Sequence, residues 1–297
     1  MRTVIAGSSG FLGSALTDAL VERGHSVVGL VRRPTSSPDE SSWDPYAGTY
    51  DREVIETADV VVNLAGSALA GNVHTDKWSR ELRESRVRTT ATLAQAIGTS
   101  DRRPAFLAGN GSSYYGDHGG EVVDETSDSR GDSLFTGVCR DWQAATDPAA
   151  EAGARVCVLR TSPVLDRRGL TMRLLRGLTL AALGTRLGDG RQYMPMVSLR
   201  DWLGGVILLA EHQTAAGPFN LVCPQTPTNA EFTKELARQL GRPAFLVAPA
   251  PVIRLAAGAA APELLNSINA RPAALEAAGY EFQDRNVNEV LRAGLAS

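Results

Sequence analysis

Lysine is nearly missing from this chain. Of its 30 basic residues only Lys77 and Lys234 are lysines, and the rest are arginines. Cysteine is sparse as well: Cys139, Cys157 and Cys223 are far apart and form no C-x-x-C pair. That excludes a disulfide scaffold and a cysteine-rich zinc site, and it suits a reducing compartment. The four histidines, His25, His74, His118 and His212, lack metal-ligand spacing, so no metal site is expected. No stretch approaches the roughly 18 to 20 uninterrupted apolar residues of a membrane span. The alanine-rich segment 252–261 is short and flanked by Pro249, Pro251 and Pro262. An excess of one charge is lacking too: 30 basic against 33 acidic residues leave a net charge of -3. Such a balance speaks against a nucleic-acid or polybasic membrane-surface partner. Met1 and Arg2 lead directly into a short apolar run and a glycine-rich turn, a poor match to a signal peptide. The expected location is the cytoplasm.

The 297 residues allow one large domain or two smaller ones at about 150 residues each. A hydrophobic content of 43% is enough for a substantial core. Glycine, with 29 residues, exceeds its usual share of roughly 7%. Short apolar runs recur at 2–6, 26–31, 59–65, 104–108 and 155–159. Segments of helical periodicity fall between them at 10–23, 76–97 and 134–151. In the first of these, Leu12, Ala15, Leu16, Ala19 and Leu20 share one face. Pro34, Pro38 and Pro45 mark 33–48 as a loop. Strands alternating with helices imply a parallel sheet covered on both faces, and right-handed crossovers make a doubly wound α/β sheet the expected fold. Beyond Thr161 the rhythm loosens, with helices expected at 172–183, 199–211, 229–240 and after Arg271. Residues 1–165 are expected to form a Rossmann-type unit, and 166–297 to complete the sheet and supply a smaller cap.

The first apolar run enters Gly7-Ser8-Ser9-Gly10-Phe11-Leu12-Gly13, a G-x-x-G-x-x-G pattern opening a helix. In this context Gly7 permits a tight turn, Gly10 admits a pyrophosphate to backbone amides, and Gly13 brings the helix close to the strand. The helix N-terminus adds partial positive charge and unpaired N–H donors, and Ser8 and Ser9 add hydroxyls. Dinucleotide-binding folds that prefer NAD place an acidic residue about 20 positions further on, against the ribose 2′-hydroxyl. Here that place reads Val31-Arg32-Arg33. A guanidinium pairs with a 2′-phosphate where a carboxylate would repel it, so the expected cofactor is NADP(H).

Further motifs follow in order: WDP (43–45), NLAG (63–66), SRV (85–87), YYGD (114–117), CRDW (139–142), GRQYMP (190–195), GPFN (217–220), TNAEFT (228–233) and RPAALEAAGYEF (271–282). Together with GSSGFLG and VRR they make the chain resemble, over nearly its whole length, the extended short-chain dehydrogenase/reductases. The resemblance is closer still to the atypical, NAD-dependent epimerase/dehydratase-like branch, also labelled cell-division-inhibitor-like, with its C-terminal domain of unknown function. It implies that Asn63, Leu64, Ala65 and Gly66 border the cofactor after the third strand, and that Glu81 and Arg86 on the next helix face it. The charge of RELRESRVR equally suits a solvated helix surface.

Reductases of this superfamily carry a tyrosine four residues before a lysine, on one helix face, with a serine nearby. Counted back from CRDW, the resemblance puts Phe135 and Cys139 at those two places and Asn110 at the serine place. Neither lysine completes the pattern, since Val73 and Ala230 stand four residues before them. Tyr114 or Tyr115, with Ser112, Ser113, Asp117 or His118 close in sequence, is the candidate replacement acid. The competing reading packs YYGD beside the nicotinamide, since a tyrosine without a cationic neighbour keeps a pKa of about 10. Cys139 reads as a small hydrophobe rather than a nucleophile. Residues 191–195 are expected on a glycine-flanked loop over the substrate. The leading expectation is an NADP(H)-binding oxidoreductase or epimerase acting on an unidentified small molecule, with a homodimer as a further expectation. The rival is a non-enzymatic NADP(H)-dependent sensor that binds another protein.

Overall fold

The alternation of strands and helices takes shape in a computed structural model that describes residues 1–68 and 71–296. Its first half runs β1 (Arg2–Ala6), α1 (Phe11–Glu22), β2 (Ser26–Val31), β3 (Glu40–Asp44), β4 (Thr49–Tyr50), α2 (Arg52–Glu56), β5 (Val60–Asn63) and α3 (Asp76–Gly98). It continues through β6 (Ala105–Gly111), a 3₁₀ turn (Ser112–Tyr115), β7 (Val122–Val123), α4 (Leu134–Ala144), α5 (Asp147–Glu151), β8 (Val156–Thr161) and β9 (Val164–Leu165). The expected helix over 134–151 is broken in two, with Pro148 in the first turn of α5, where a missing N–H costs nothing.

Among the described residues eight strands form one sheet in the order β12-β8-β6-β5-β1-β2-β3-β4, where β12 is Gly217–Leu221. All neighbours are parallel except β3 and β4. The fold is thus a doubly wound Rossmann sheet. Its strand β3 replaces part of the expected loop. The run Glu-Ser-Ser-Trp-Asp looks polar, yet it buries Ser41 and Trp43 alternately and lays its backbone along β2. Two apolar layers sandwich the sheet. One gathers Ile5, Leu16, Leu20 and Trp202; the other gathers Val4, Val61, Leu93, Ile97 and Phe106. Each such side chain contributes about 1.5–3 kcal/mol by leaving water.

The second half comprises α6 (Leu170–Leu180), β10 (Thr185–Leu187), β11 (Val197–Ser198), α7 (Leu199–Glu211), β12, α8 (Asn229–Gln239), β13 (Leu246–Ala248), α9 (Ala250–Ala257), α10 (Ala261–Leu265), β14 (Asn269–Ala270), α11 (Ala273–Ala277) and α12 (Val287–Ala296). Of these, α7 and β12 return to the sheet: Trp202 of α7 is fully buried in its core. Leu275 of α11 also packs in the sheet core, and a smaller cap gathers around Met172, Cys223, Phe232 and Leu291. The capping box Thr228–Glu231, read only as part of a motif, starts α8. Parallel pairing of β14 with β7 ties the cap to the loop after β6. Among the described residues no helix is long and apolar enough to cross a membrane.

Candidate nucleotide cleft and the groups at its end

Strand β1 delivers the chain into Gly7, whose φ of +85° lies in the left-handed region. A Cβ there would stand 2.8 Å from the Leu64 carbonyl carbon, so the turn and the loop after β5 approach as closely as backbones can. Gly13 is tighter: its Cβ would lie 2.0 Å from the Gly7 carbonyl oxygen. Gly10 begins α1, and no side chain caps that helix. Its first amides and positive dipole end are left for an anion.

A cleft of about 1150 Å³ opens at this turn. Gly7, Ser8, Ser9 and Gly10 line its middle, Val31, Arg32 and Arg33 one end, and Leu64, Ala65, Gly66 and Ser67 the other. Phe11, Leu12 and Gly13, expected at the cofactor, offer it only their backbone amides: the Phe11 and Leu12 side chains pack among apolar residues and Gly13 is buried under the turn. Their role at the cleft is to hold the backbone that bounds it.

The two arginines differ. Arg33 Nη2 donates to both Glu40 carboxylate oxygens, at 2.8 and 2.9 Å. Thr35 also donates to Glu40, and the two neighbours hold its carboxyl below the usual range. Arg32 is exposed at the same rim, and no carboxylate pairs with it among the described residues.

Asn63 is fully buried rather than lining the cleft. Its Nδ2 donates to Thr90 Oγ1 at 2.8 Å, and its Oδ1 accepts from the Ala65 amide at 3.1 Å. It shapes the Leu64–Ala65 turn, and so stands behind the cleft wall that was expected to include it. Glu81 is exposed on α3, 3.7 Å from Lys77, and lies outside the cleft lining. Here the solvated-helix reading prevails. Arg86 turns inward. Its guanidinium donates to the Leu82 and Ser67 carbonyls at 3.1 and 3.3 Å and lies 5.4 Å from the Trp142 ring centre. Burial lowers its pKa from the ordinary arginine value.

Tyr115 is not placed as an acid. It is fully buried, its hydroxyl donates to Asn220 Oδ1 at 2.7 Å, and Arg160 Nη1 donates to that hydroxyl at 2.9 Å. Burial pushes the phenol up to about 12 despite the arginine. Tyr114 stands beside it with Arg160 3.6 Å from its ring centre. Arg160 itself went unnoticed in the sequence, although a lone arginine in the apolar strand run VCVLRT was a visible anomaly. The cationic neighbour assumed missing from the tyrosine pair is this residue.

Asn110 donates to the Cys139 carbonyl at 3.0 Å and accepts from the Gly111 amide at 2.7 Å, tying β6 to α4. Burial pushes the Cys139 thiol up to about 12, which leaves it a small hydrophobe. The loop 190–195 does not line the cleft; Gln192 Nε2 donates to the Leu187 and Leu264 carbonyls, fastening the loop to α10. Glu263 escaped sequence reasoning altogether. Ser113 Oγ, on the 3₁₀ turn after β6, donates to Glu263 Oε2 of α10 at 2.5 Å.

Residues 3–221 match the model of the NAD dependent epimerase/dehydratase family. The chain belongs to that family. Residues 248–293 match a second model, Domain of unknown function (DUF1731), so Ser113 and Glu263 come from the two matched regions. An epimerase family protein of Mycobacterium leprae is 39% identical over 288 residues, covering 97% of this chain and 93% of that protein. The crystal structure of human epimerase family protein SDR39U1 (isoform2) with NADPH superimposes with a TM-score of 0.87. It is 29% identical and covers 100% of this chain and 99% of that one. A nucleoside-diphosphate sugar epimerase structure from Corynebacterium glutamicum has a TM-score of 0.80 and 32% identity, covering 99% of this chain and 58% of that one. This family member is thereby an atypical, epimerase-like short-chain dehydrogenase/reductase.

Proposed function

We propose that this family member binds NADP(H) in the cleft and is an oxidoreductase that reduces a carbonyl-bearing small molecule beneath the cap. The observation that carries this reading is a single cleft running from the uncapped start of α1 to Arg32 and Arg33, with arginine where a 2′-hydroxyl reader would be acidic. The human relative solved with NADPH supports it. In this arrangement the α1 amides and the Ser8 and Ser9 hydroxyls hold the pyrophosphate. Arg32 takes the 2′-phosphate, and the Leu64–Ser67 loop, braced by Arg86, borders the nicotinamide half. When bound, the nicotinamide supplies the hydride chemistry, and the protein supplies position and proton management. Three buried free cysteines support a cytoplasmic setting.

The test is a fluorescence titration with NADPH and NADH, followed by a panel of aldehydes, ketones, enones and sugar nucleotides with absorbance at the reduced-nicotinamide band. Tight NADPH binding with turnover of a panel member supports the reading; a preference for NADH overturns the cofactor assignment. A specific observation favours the second reading, a sensor that docks another protein or a second copy of this chain. Leu170, Leu174 and Leu178 form an exposed stripe on α6, and Phe245 and Leu255 are exposed nearby in sequence to β13 and on α9. NADPH-dependent association without turnover would favour it.

A further inference from the structure

Of the groups at the expected acid–base places, Tyr115 is locked in the core, Asn110 braces α4 and Cys139 keeps its proton, while Tyr114 carries Arg160 on its ring face. Yet α4 packs on the 3₁₀ turn that carries Ser113, at the carboxyl end of β6. Parallel sheets place their chemistry outside that edge. Cys139 lies close under it, since a Cβ on Gly111 would be 3.2 Å from its Sγ. The charges of Glu263, from the cap, and of Arg86, from α3, both act on Cys139. The Ser113–Glu263 bond therefore stands beside α4, the helix on which the resemblance sets the superfamily's tyrosine and lysine places.

Glu263 is open to water, as a proton-exchanging group must be, but protein surrounds its carboxyl on most sides. That enclosure pushes it up to about 7, against the lowering effect of Ser113. Arg86 keeps its charge at any working pH. Other titratable groups on the adjoining elements are Tyr114 on the 3₁₀ turn, Arg140 and Asp141 on α4, Arg160 on β8, Arg254 on α9, and His74, which abuts Gly258 between α9 and α10.

We propose that Glu263 and Ser113, which meet at the carboxyl edge of β6 outside the lining of the nucleotide cleft, form the proton-holding pair for hydride transfer. The assignment rests on the reductase reading above. As hydride from the reduced nicotinamide forms the new C–H bond at the carbonyl carbon, the Ser113 O–H bond breaks and its proton passes to the carbonyl oxygen. Ser113 recovers a proton from the Glu263 carboxyl, and the carboxylate recovers one from water. The carbonyl is reduced to an alcohol, the dihydronicotinamide is oxidised, and one solvent proton is consumed.

A carboxylate facing the nicotinamide favours the cationic ring of NADP⁺ over the neutral ring of NADPH, by about tenfold at close range. The ratio of the two dissociation constants, measured on the full chain from pH 5.5 to 8.5, reads this directly. The 2′-phosphate common to both nucleotides cancels. The ratio should shift toward NADP⁺ by about tenfold as pH rises through 7, and Glu263→Gln should flatten it while NADPH affinity changes less than about twofold. A ratio that is flat in the wild type, or that moves equally in Glu263→Gln, overturns the assignment. If neither nucleotide binds, the reductase reading itself has failed, a different result from a flat ratio. With any panel carbonyl that the wild type reduces, Glu263→Gln should lower kcat by about 100-fold and erase its dependence on pH near 7, with Glu263→Asp restoring part of it. Retention of wild-type kcat and pH profile by Glu263→Gln would sink the proposal, and thermal melts of both variants separate misfolding from lost chemistry.

Discussion

The nucleotide cleft and the proton site proposed beside it are built on opposite plans. The phosphate end is backbone: a turn, a helix start and a loop pressed together because Gly7 and Gly13 carry no side chains. The proposed proton site is side chain: Ser113 and Glu263, brought together from segments 150 positions apart. Backbone recognition tolerates variation in everything except the glycines. A side-chain site can be rewritten one residue at a time.

The comparison is broken most severely at Gly13. Gly13→Val drives a branched Cβ into the Gly7 carbonyl and should cost roughly 3 kcal/mol or more, with loss of nucleotide binding, seen in a thermal melt and an NADPH titration. Next comes the core beneath the proposed proton site. Arg160→Ala leaves the Tyr115 hydroxyl and Gln143 without their cation and should destabilise by about 2–4 kcal/mol in urea unfolding. A smaller, more selective effect is expected at the rim. Arg32→Ala should weaken NADPH by about tenfold or more and leave NADH almost unchanged, whereas Arg33→Ala, already engaged by Glu40, should cost less. Equal losses in the two variants would show that Arg33 leaves Glu40 on binding.

The smallest effect is in stability against pH. Glu263 is raised from 4.5 to about 7 in the folded chain, so its neutral form favours folding below 4.5. That advantage is lost as pH rises from 4.5 to 7 and stays lost above. Glu263→Gln should therefore melt like the wild type at pH 4.5 and above it at pH 8. Curves that stay superimposed would mean that the carboxyl is not held up by its surroundings.

What could be read in advance follows the same division. GSSGFLG and VRR are contiguous, and each acts through its own turn or strand end, so spacing alone revealed them. Strand β3 was hidden because Glu-Ser-Ser-Trp-Asp is polar in composition and only its alternate residues are buried. The resemblance sets Asn63 at the cofactor with Leu64, Ala65 and Gly66, which do line the cleft, whereas its own partner Thr90 is 27 positions away. Glu263 meets Ser113 across 150 positions, a proximity that no local periodicity records. Side chains that work through distant partners become legible only when the cap is seen against the sheet.

The three unpaired cysteines are all buried, each in a different neighbourhood: Cys157 in the sheet core, Cys223 in the cap core, and Cys139 beneath the strand edge between them. They amount to built-in reporters of local opening. A thiol reagent reaches each only when its own region loosens, so three labelling rates measured on the native chain would rank the opening free energies of sheet, cap and seam.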